Sequence, residues 1–299
     1  MKRNSSLLTA ALGAGLVVGV SFFFRKRKKK EEKKPDLTQT QVQNGQELAA
    51  QMPDLIRDDW FVLVVQPVVD LETGAIVGGE VLCRLNHPEQ GMIFPDKFIP
   101  ALEDAGLLTE FDYYIYGKVC DLMSRLMAQG MDLQYLSCNF SRLTLSEAEM
   151  AERLTGIADS FHVPHDRLAV EITEQDPESN LEQFCQNLRE LKDAGFRIFV
   201  DDLGAGITSA WDLWSYPVDV VKIDRSMLLA AESKHGRIAY QGLRNLAAKF
   251  GHKVLCEGVE TEEHRRFVLD VGCNYCQGFL FYRPMAEAQF IQLINERSQ

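Results

Sequence analysis

Arg197-Ile198-Phe199-Val200-Asp201-Asp202-Leu203-Gly204-Ala205-Gly206 is the stretch whose reading decides the fold. An apolar run that ends in two carboxylates and a Gly-rich turn matches a parallel strand, buried on both faces, emerging into a loop. Two neighbouring carboxylates repel, so they are stable together only in water or beside cations. Alone, the stretch reads better as a solvated Asp-Asp turn. It gains weight because the pattern recurs along the chain.

Working outward, short apolar runs alternate with helical periodicity. Phe61–Val65 and Gly74–Val81 read as strands joined by the turn Asp70-Leu71-Glu72-Thr73-Gly74, a hairpin. Further strands are expected at Tyr135–Cys138, Leu168–Ile172, Ile198–Val200, Val218–Ile223, Val254–Cys256 and Tyr275–Phe281. Between them lie helical patterns: Pro95 to Ala105, a helix capped by Thr109 and ending at Gly130, Glu147–Phe161, and one closed by Gly195. A short helix at Ser209–Trp214, one ending at Gly251, then Thr261–Val271 and Glu287–Ile294 complete the series. Repeated strand-then-helix units favour a (β/α) barrel or a doubly wound sheet. The second needs a Gly-rich fingerprint after its first strand; Gly204-Ala205-Gly206 comes late, lacks a third glycine and follows two aspartates. The α/β barrel is the better choice.

Ahead of the barrel, Leu7 to Phe24 form an uncharged apolar run of 18 residues, just sufficient to span a bilayer. Lys2 and Arg3 precede it and Arg25-Lys26-Arg27-Lys28-Lys29-Lys30 follow. A basic block there resists translocation, which favours a signal anchor over a cleaved signal peptide and places the body in the cytoplasm. The organisation expected is a transmembrane anchor with basic flank at 1–30, a polar linker at 31–54 and the barrel at 55–299. The net charge of −11 hides an asymmetry, because beyond residue 34 there are 22 basic against 41 acidic residues. Without a basic stripe such a body is no partner for a nucleic-acid polymer. Seven scattered cysteines fit a reducing compartment, and the lone Cys273-Asn-Tyr-Cys276 reads as two small apolar residues.

In a barrel the C-terminal ends of all strands converge on one face. Those ends are Glu80, Asn139, Glu171, Asp201 with Asp202, Lys222, Glu257 and Gln277. Each alone reads as a solvated loop residue. A ring of them is hard to explain that way, because its carboxylates would repel at close range. Divalent cations with oxygen ligands resolve the repulsion, which points to Mg2+ or Mn2+ rather than zinc. No HxH, HExxH, GxSxG or GxxxxGK[ST] pattern occurs, and His162-Val-Pro-His165 precedes a strand, on the opposite face. An acidic ring with one lysine suits two-metal hydrolysis of a phosphodiester. An enolase-like proton abstraction is the other barrel chemistry, but residues 31–60 are too short and polar to form a capping domain.

Eight segments in order carry a resemblance: Gln66-Pro67-Val68-Val69-Asp70, Gly79-Glu80-Val81-Leu82-Cys83-Arg84, Asn139-Phe140-Ser141, Glu171-Ile172-Thr173-Glu174, Asp201 to Gly206, Lys222-Ile223-Asp224, Glu257-Gly258-Val259-Glu260 and Gln277-Gly278-Phe279-Leu280. Collinear from about Val65 to Pro284, they resemble the EAL-domain cyclic-di-GMP phosphodiesterases of bacteria. The resemblance implies a TIM-type (β/α)8 barrel with an antiparallel first strand, and hydrolysis of cyclic di-GMP to linear pGpG with two Mg2+ or Mn2+ ions. It implies that Glu80, Asn139, Glu171 and Asp201 hold one metal and that Asp201, Asp202 and Glu257 hold the second. Lys222 would orient or help deprotonate the attacking water, with Gln277 helping to position it. Gln66, Leu82 and Arg84 would meet the substrate, Arg84 at a phosphate. Glu174 would brace the loop after Asp202, which in the family also contributes to homodimer contacts. Two departures stand out: Glu-Val-Leu for Glu-Ala-Leu, and Leu203-Gly204-Ala205-Gly206-Ile207 for Phe-Gly-Thr-Gly-Tyr. Neither removes a ligand. The expectation is an enzyme anchored in the bacterial inner membrane by a single pass, with a catalytically silent receptor or adaptor as the alternative.

Overall fold

The computed structural model describes residues 45–172, 180–205 and 210–297. Its first strand, β1 (Phe61–Asp70), turns at Asp70, whose Oδ1 accepts from Glu72 N, Thr73 N and Thr73 Oγ1 at 3.1, 2.8 and 2.9 Å. An Asp side chain holding the following backbone in this way is an Asx-type turn. The chain returns antiparallel as β2 (Ile76–His87). Thereafter β4 (Tyr135–Phe140), β5 (Leu168–Ile172), β6 (Arg197–Leu203), β7 (Val220–Ile223), β8 (Lys253–Cys256) and β9 (Tyr275–Cys276) follow in parallel register from β2. β1 pairs antiparallel with both β2 and β9 and closes the circle. The expected barrel with an antiparallel first strand is what forms.

Two small strands lie outside the circle. β3 (Gly91–Ile93) pairs with the far end of β2, and β10 (Met285–Ala286) pairs with β1. Around the circle run α1 (Gly45–Arg57), α2 (Pro95–Asp104), α3 (Leu108–Ala128), α4 (Arg142–Leu145), α5 (Met150–Ser160) and α6 (Leu181–Asp193). Then come α7 (Ala210–Ser215), α8 (Arg225–Ala230), α9 (Lys234–Lys249), α10 (Glu262–Asp270) and α11 (Glu287–Arg297).

The barrel interior begins with an apolar plug. Val68, Val77, Tyr135, Ala169, Phe199, Val220, Leu255 and Tyr275, one from each strand of the circle, form a buried cluster separate from the main core. Tyr135 and Phe199 meet edge to face at 5.0 Å. Gly78 is required here: a Cβ on it would stand 2.6 Å from the Tyr135 ring, which fills the space a β2 side chain would otherwise take. The larger core lies between the outer faces of the strands and the helices.

Several boundaries differ from the sequence reading. The polar linker expected at 31–54 overlaps α1, whose Leu48, Met52, Leu55 and Ile56 are buried and whose Gln51 Oε1 lies 2.8 Å from His87 Nε2. Sequence reads this linker as helical in part near Glu47–Met52, and the helix extends that segment to Arg57 because Leu48, Met52, Leu55 and Ile56 share one buried face. The expected strand Tyr275–Phe281 stops at Cys276, because Val259 N bonds to Gln277 O and Leu280 N to Val259 O and draws the chain into a turn. Glu147–Phe161 begins instead at Met150, after the separate turn α4, which Ser141 caps. Cys273 and Cys276 are buried and unbridged. The apolar run 7–24 lies outside the described residues, and among those described no helix is long and apolar enough to cross a membrane.

Candidate active site

Side chains two residues apart on a strand point to the same face. Two steps along β5, β6, β7, β8 and β9 from the plug residues Ala169, Phe199, Val220, Leu255 and Tyr275 stand Glu171, Asp201, Lys222, Glu257 and Gln277. The antiparallel β1 supplies Gln66 two steps the other way from Val68, and β4 supplies Asn139. On β2, Glu80 stands two steps from Gly78, whose inward place the Tyr135 ring fills, so the polar ring is the second storey of the same barrel.

Lys222 is the hub. Its Nζ lies 2.8 Å from Glu257 Oε1, 3.0 Å from Glu171 Oε2, 3.2 Å from Asp201 Oδ2 and 3.4 Å from Glu80 Oε2, and the residue is 1% exposed. Glu80 also accepts from Asn139 Nδ2 at 3.2 Å and from Gln277 Nε2 at 2.7 Å. Gln277 Nε2 is within 2.9 Å of Gln66 Oε1, whose own Nε2 donates to Tyr282 O at 3.3 Å. The Gln277 Oε1 atom is buried with no hydrogen-bond partner among the described residues.

Asp201 and Asp202 are adjacent, so a regular strand would send them to opposite faces. The β6–β7 register shifts between Val200 and Leu203, and Asp202 takes a left-handed φ of 57°, its N donating to Asp201 Oδ1 at 2.9 Å. Asp is among the few residue types that adopt this conformation at modest cost. The irregularity lets both carboxylates serve one site: oxygens of Asp201, Asp202 and Glu257 lie within 4.8 Å of one another. Beyond Glu257, Gly258 has φ 68°, and a Cβ there would collide with Arg225, so the loop needs glycine.

The electrostatics follow from burial and crowding. Burial pushes the carboxyls of Glu171 and Glu257 up to about 8; Asp201 and Glu80 push the same way, against Lys222. Burial acts on Glu80 too, but Lys222 and the bonds from Gln277 and Asn139 hold it below the usual range. Lys222 loses some proton affinity to burial yet stays well above its ordinary value beside Asp201, Glu171, Glu257 and Glu80. Four carboxyl groups share one ammonium, and the Asp202 carboxyl lies beside two of them, Asp201 and Glu257. Such a site takes up protons or divalent cations, and its all-oxygen donors with the unpartnered Gln277 Oε1 fit Mg2+ or Mn2+.

A cavity of about 770 Å3 adjoins the ring, reaching Leu82 and Asn139 and floored by Phe98, Ile99, Phe111 and Ile115. The sequence reading missed Asp112 on its wall. Asp112 Oδ2 accepts from Ser141 N, Ser141 Oγ and Thr144 Oγ1 at 3.0, 2.8 and 2.6 Å, tying down the chain just after Asn139. Burial pushes its carboxyl up to about 6. A signal was present: Asp112 interrupts the stripe Leu108, Phe111, Ile115, Val119 on the buried side of α3. Of the expected site residues the structure gathers Gln66, Glu80, Asn139, Glu171, Asp201, Asp202, Lys222, Glu257 and Gln277, with Leu82 at the cavity and Arg84 further along β2. Glu174 lies outside the described residues.

The EAL domain profile matches residues 49–284, from within α1 to the start of β10. The chain belongs to the EAL-domain family. The cyclic di-GMP phosphodiesterase RocR of Pseudomonas aeruginosa is 30% identical over 232 residues, 77% of this chain and 59% of RocR. The probable cyclic di-GMP phosphodiesterase PdeI of Escherichia coli K12 is 35% identical over 229 residues, 75% of this chain but 29% of PdeI. This chain thus spans less than two thirds of either relative. The structure of the phosphodiesterase MucR in complex with c-di-GMP superposes with a TM-score of 0.76 at 28% identity, over 82% of this chain and 99% of that one. The EAL segment here is Glu80-Val81-Leu82, with Val81 buried against the core rather than in the ring.

Proposed function

We propose that the protein is a metal-dependent phosphodiesterase that hydrolyses cyclic di-GMP to linear pGpG. The observation that carries this reading is the four carboxyl groups around Lys222 with Asp202 beside Asp201 and Glu257, so that no expected ligand is missing. Glu80, Asn139, Glu171 and Asp201 would hold one divalent ion, and Asp201, Asp202 and Glu257 the other. Bound there, the ions would neutralise the phosphodiester and acidify the attacking water. Lys222, fixed by its carboxylate neighbours, orients that water and carries charge beside it. Gln277 offers its buried Oε1 as a further acceptor for the water. Arg84 contacts a substrate phosphate, and the apolar cavity beyond Leu82 receives a base.

The family membership and the names of RocR, PdeI and MucR support this substrate. The test is incubation of the purified chain with cyclic di-GMP, with and without Mg2+ or Mn2+, following pGpG. Metal-dependent product is expected. Binding without product would move the protein to the class of silent receptors. We further propose a single-pass anchor in the bacterial inner membrane through residues 7–24, with the catalytic domain in the cytoplasm. A C-terminal reporter active only in the cytoplasm, and recovery of the chain in membranes, test this. A homodimer is the expected assembly, and Trp214, 62% exposed, offers a second copy apolar surface. A monomeric mass in solution would contradict it.

A further inference from the structure

Arg84 lies four residues along β2 from Glu80 and so on the same strand face. Its guanidinium is half-buried, donates from Nη1 to Cys83 O at 2.7 Å, and forms no ion pair among the described residues. A guanidinium carries five N–H donors and stays charged, so most of this one's donors are left for an anion. Its central carbon sits 4.6 Å from the centre of the Phe94 ring.

Phe94 holds the N-cap position of α2, with φ −93° and ψ 161°, followed by Pro95 at the first helical turn. Ser, Thr, Asp and Asn are preferred at that position because their side chains satisfy a free backbone N–H. Phe94 makes no such bond. A residue that breaks a local rule beside a functional site points to another use for its side chain. The use visible here is the flat face it offers to Arg84, which fixes the plane of a fork suited to two-point contact with phosphate.

We propose that Phe94 is a positioning residue that holds Arg84 ready for the substrate phosphate. The inference rests on the phosphodiesterase reading above. A contact with a non-reacting phosphate oxygen forms alike in the ground and transition states, so its loss raises KM and leaves kcat.

The test is steady-state hydrolysis of cyclic di-GMP by wild type, Phe94→Ser, Phe94→Trp and Arg84→Ala, with melting temperatures alongside. Phe94→Ser should raise KM about tenfold and change kcat less than about twofold. Its melting temperature should hold or rise, because serine restores the cap. Phe94→Trp, which keeps an aromatic face, should restore KM, and Phe94→Ser should add nothing in an Arg84→Ala background. Wild-type KM in Phe94→Ser, no rescue by tryptophan, or an undiminished effect without Arg84 would overturn the proposal. Wild type that neither binds nor hydrolyses cyclic di-GMP would instead remove the functional reading beneath it.

Discussion

The plug and the ring are two storeys of one barrel, a single side-chain repeat apart, yet they are held by different physics. In the plug, Phe199, Tyr135 and Leu255 gain by leaving water and filling space, and the layer needs no partner outside itself. In the ring, Asp201, Lys222 and Glu257 have left water at a cost, which their mutual pairing offsets and bound cations would offset further. The same period of two makes one layer a foundation and the next a reactive surface. Stability should therefore reside in the first and activity in the second.

The largest effect is expected from Glu80→Ala or Asp201→Ala, which should lower hydrolysis by about a thousandfold or more with the fold intact, read by turnover and circular dichroism. Near-normal turnover in either would sink the metal assignment. Phe199→Ala should act in the opposite way, costing about 3–5 kcal/mol in denaturant unfolding through the cavity it leaves. If it were as stable as wild type, the plug would not be the foundation. Asp112→Ala removes the acceptor shared by Ser141 N, Ser141 Oγ and Thr144 Oγ1, leaving the backbone N–H of Ser141 without its acceptor, and should cost about 1–3 kcal/mol by the same measurement. Lys222→Ala should lower kcat more than it raises KM.

The ring also predicts a pH dependence. Glu171 and Glu257 keep their protons in the folded, metal-free protein up to about 8, against an ordinary value of 4.5. Unfolding between those limits releases protons, so stability falls as pH rises and levels off above about 8. In a chelator the melting temperature should drop as pH rises from about 4.5 to about 8 and then level off, and Mn2+ should raise it more at the higher pH. A melting temperature indifferent to both would contradict the proton-loaded ring.

Most of the ring was legible because strands end where apolar runs end: Glu171, Asp201, Lys222 and Glu257 each terminate such a run. What escaped depended on contacts distant in sequence. Gly78 looks like any strand glycine until the Tyr135 ring is seen against it. The helical part of the linker near Glu47–Met52 is legible, but its extension to Arg57 as α1 depends on the body it packs against. β3 is three residues long and defined only by pairing with the overhanging end of β2. Sequence placed Lys222 in the acidic ring, but its role as the shared partner of Glu80, Glu171, Asp201 and Glu257 required the convergence of four other segments. Phe94 drew no notice because its use lies across the chain, over Arg84.

The central claim is that the ring, and not some other surface, is the divalent-cation site. Titration of the purified, chelator-treated full chain with Mn2+ at about pH 8.5, counting bound ions per chain by electron paramagnetic resonance, tests it most directly. The account predicts two ions on wild type, with affinity lost in Glu80→Ala and in Asp202→Ala. Absence of bound Mn2+, or binding that both variants leave unchanged, would contradict it.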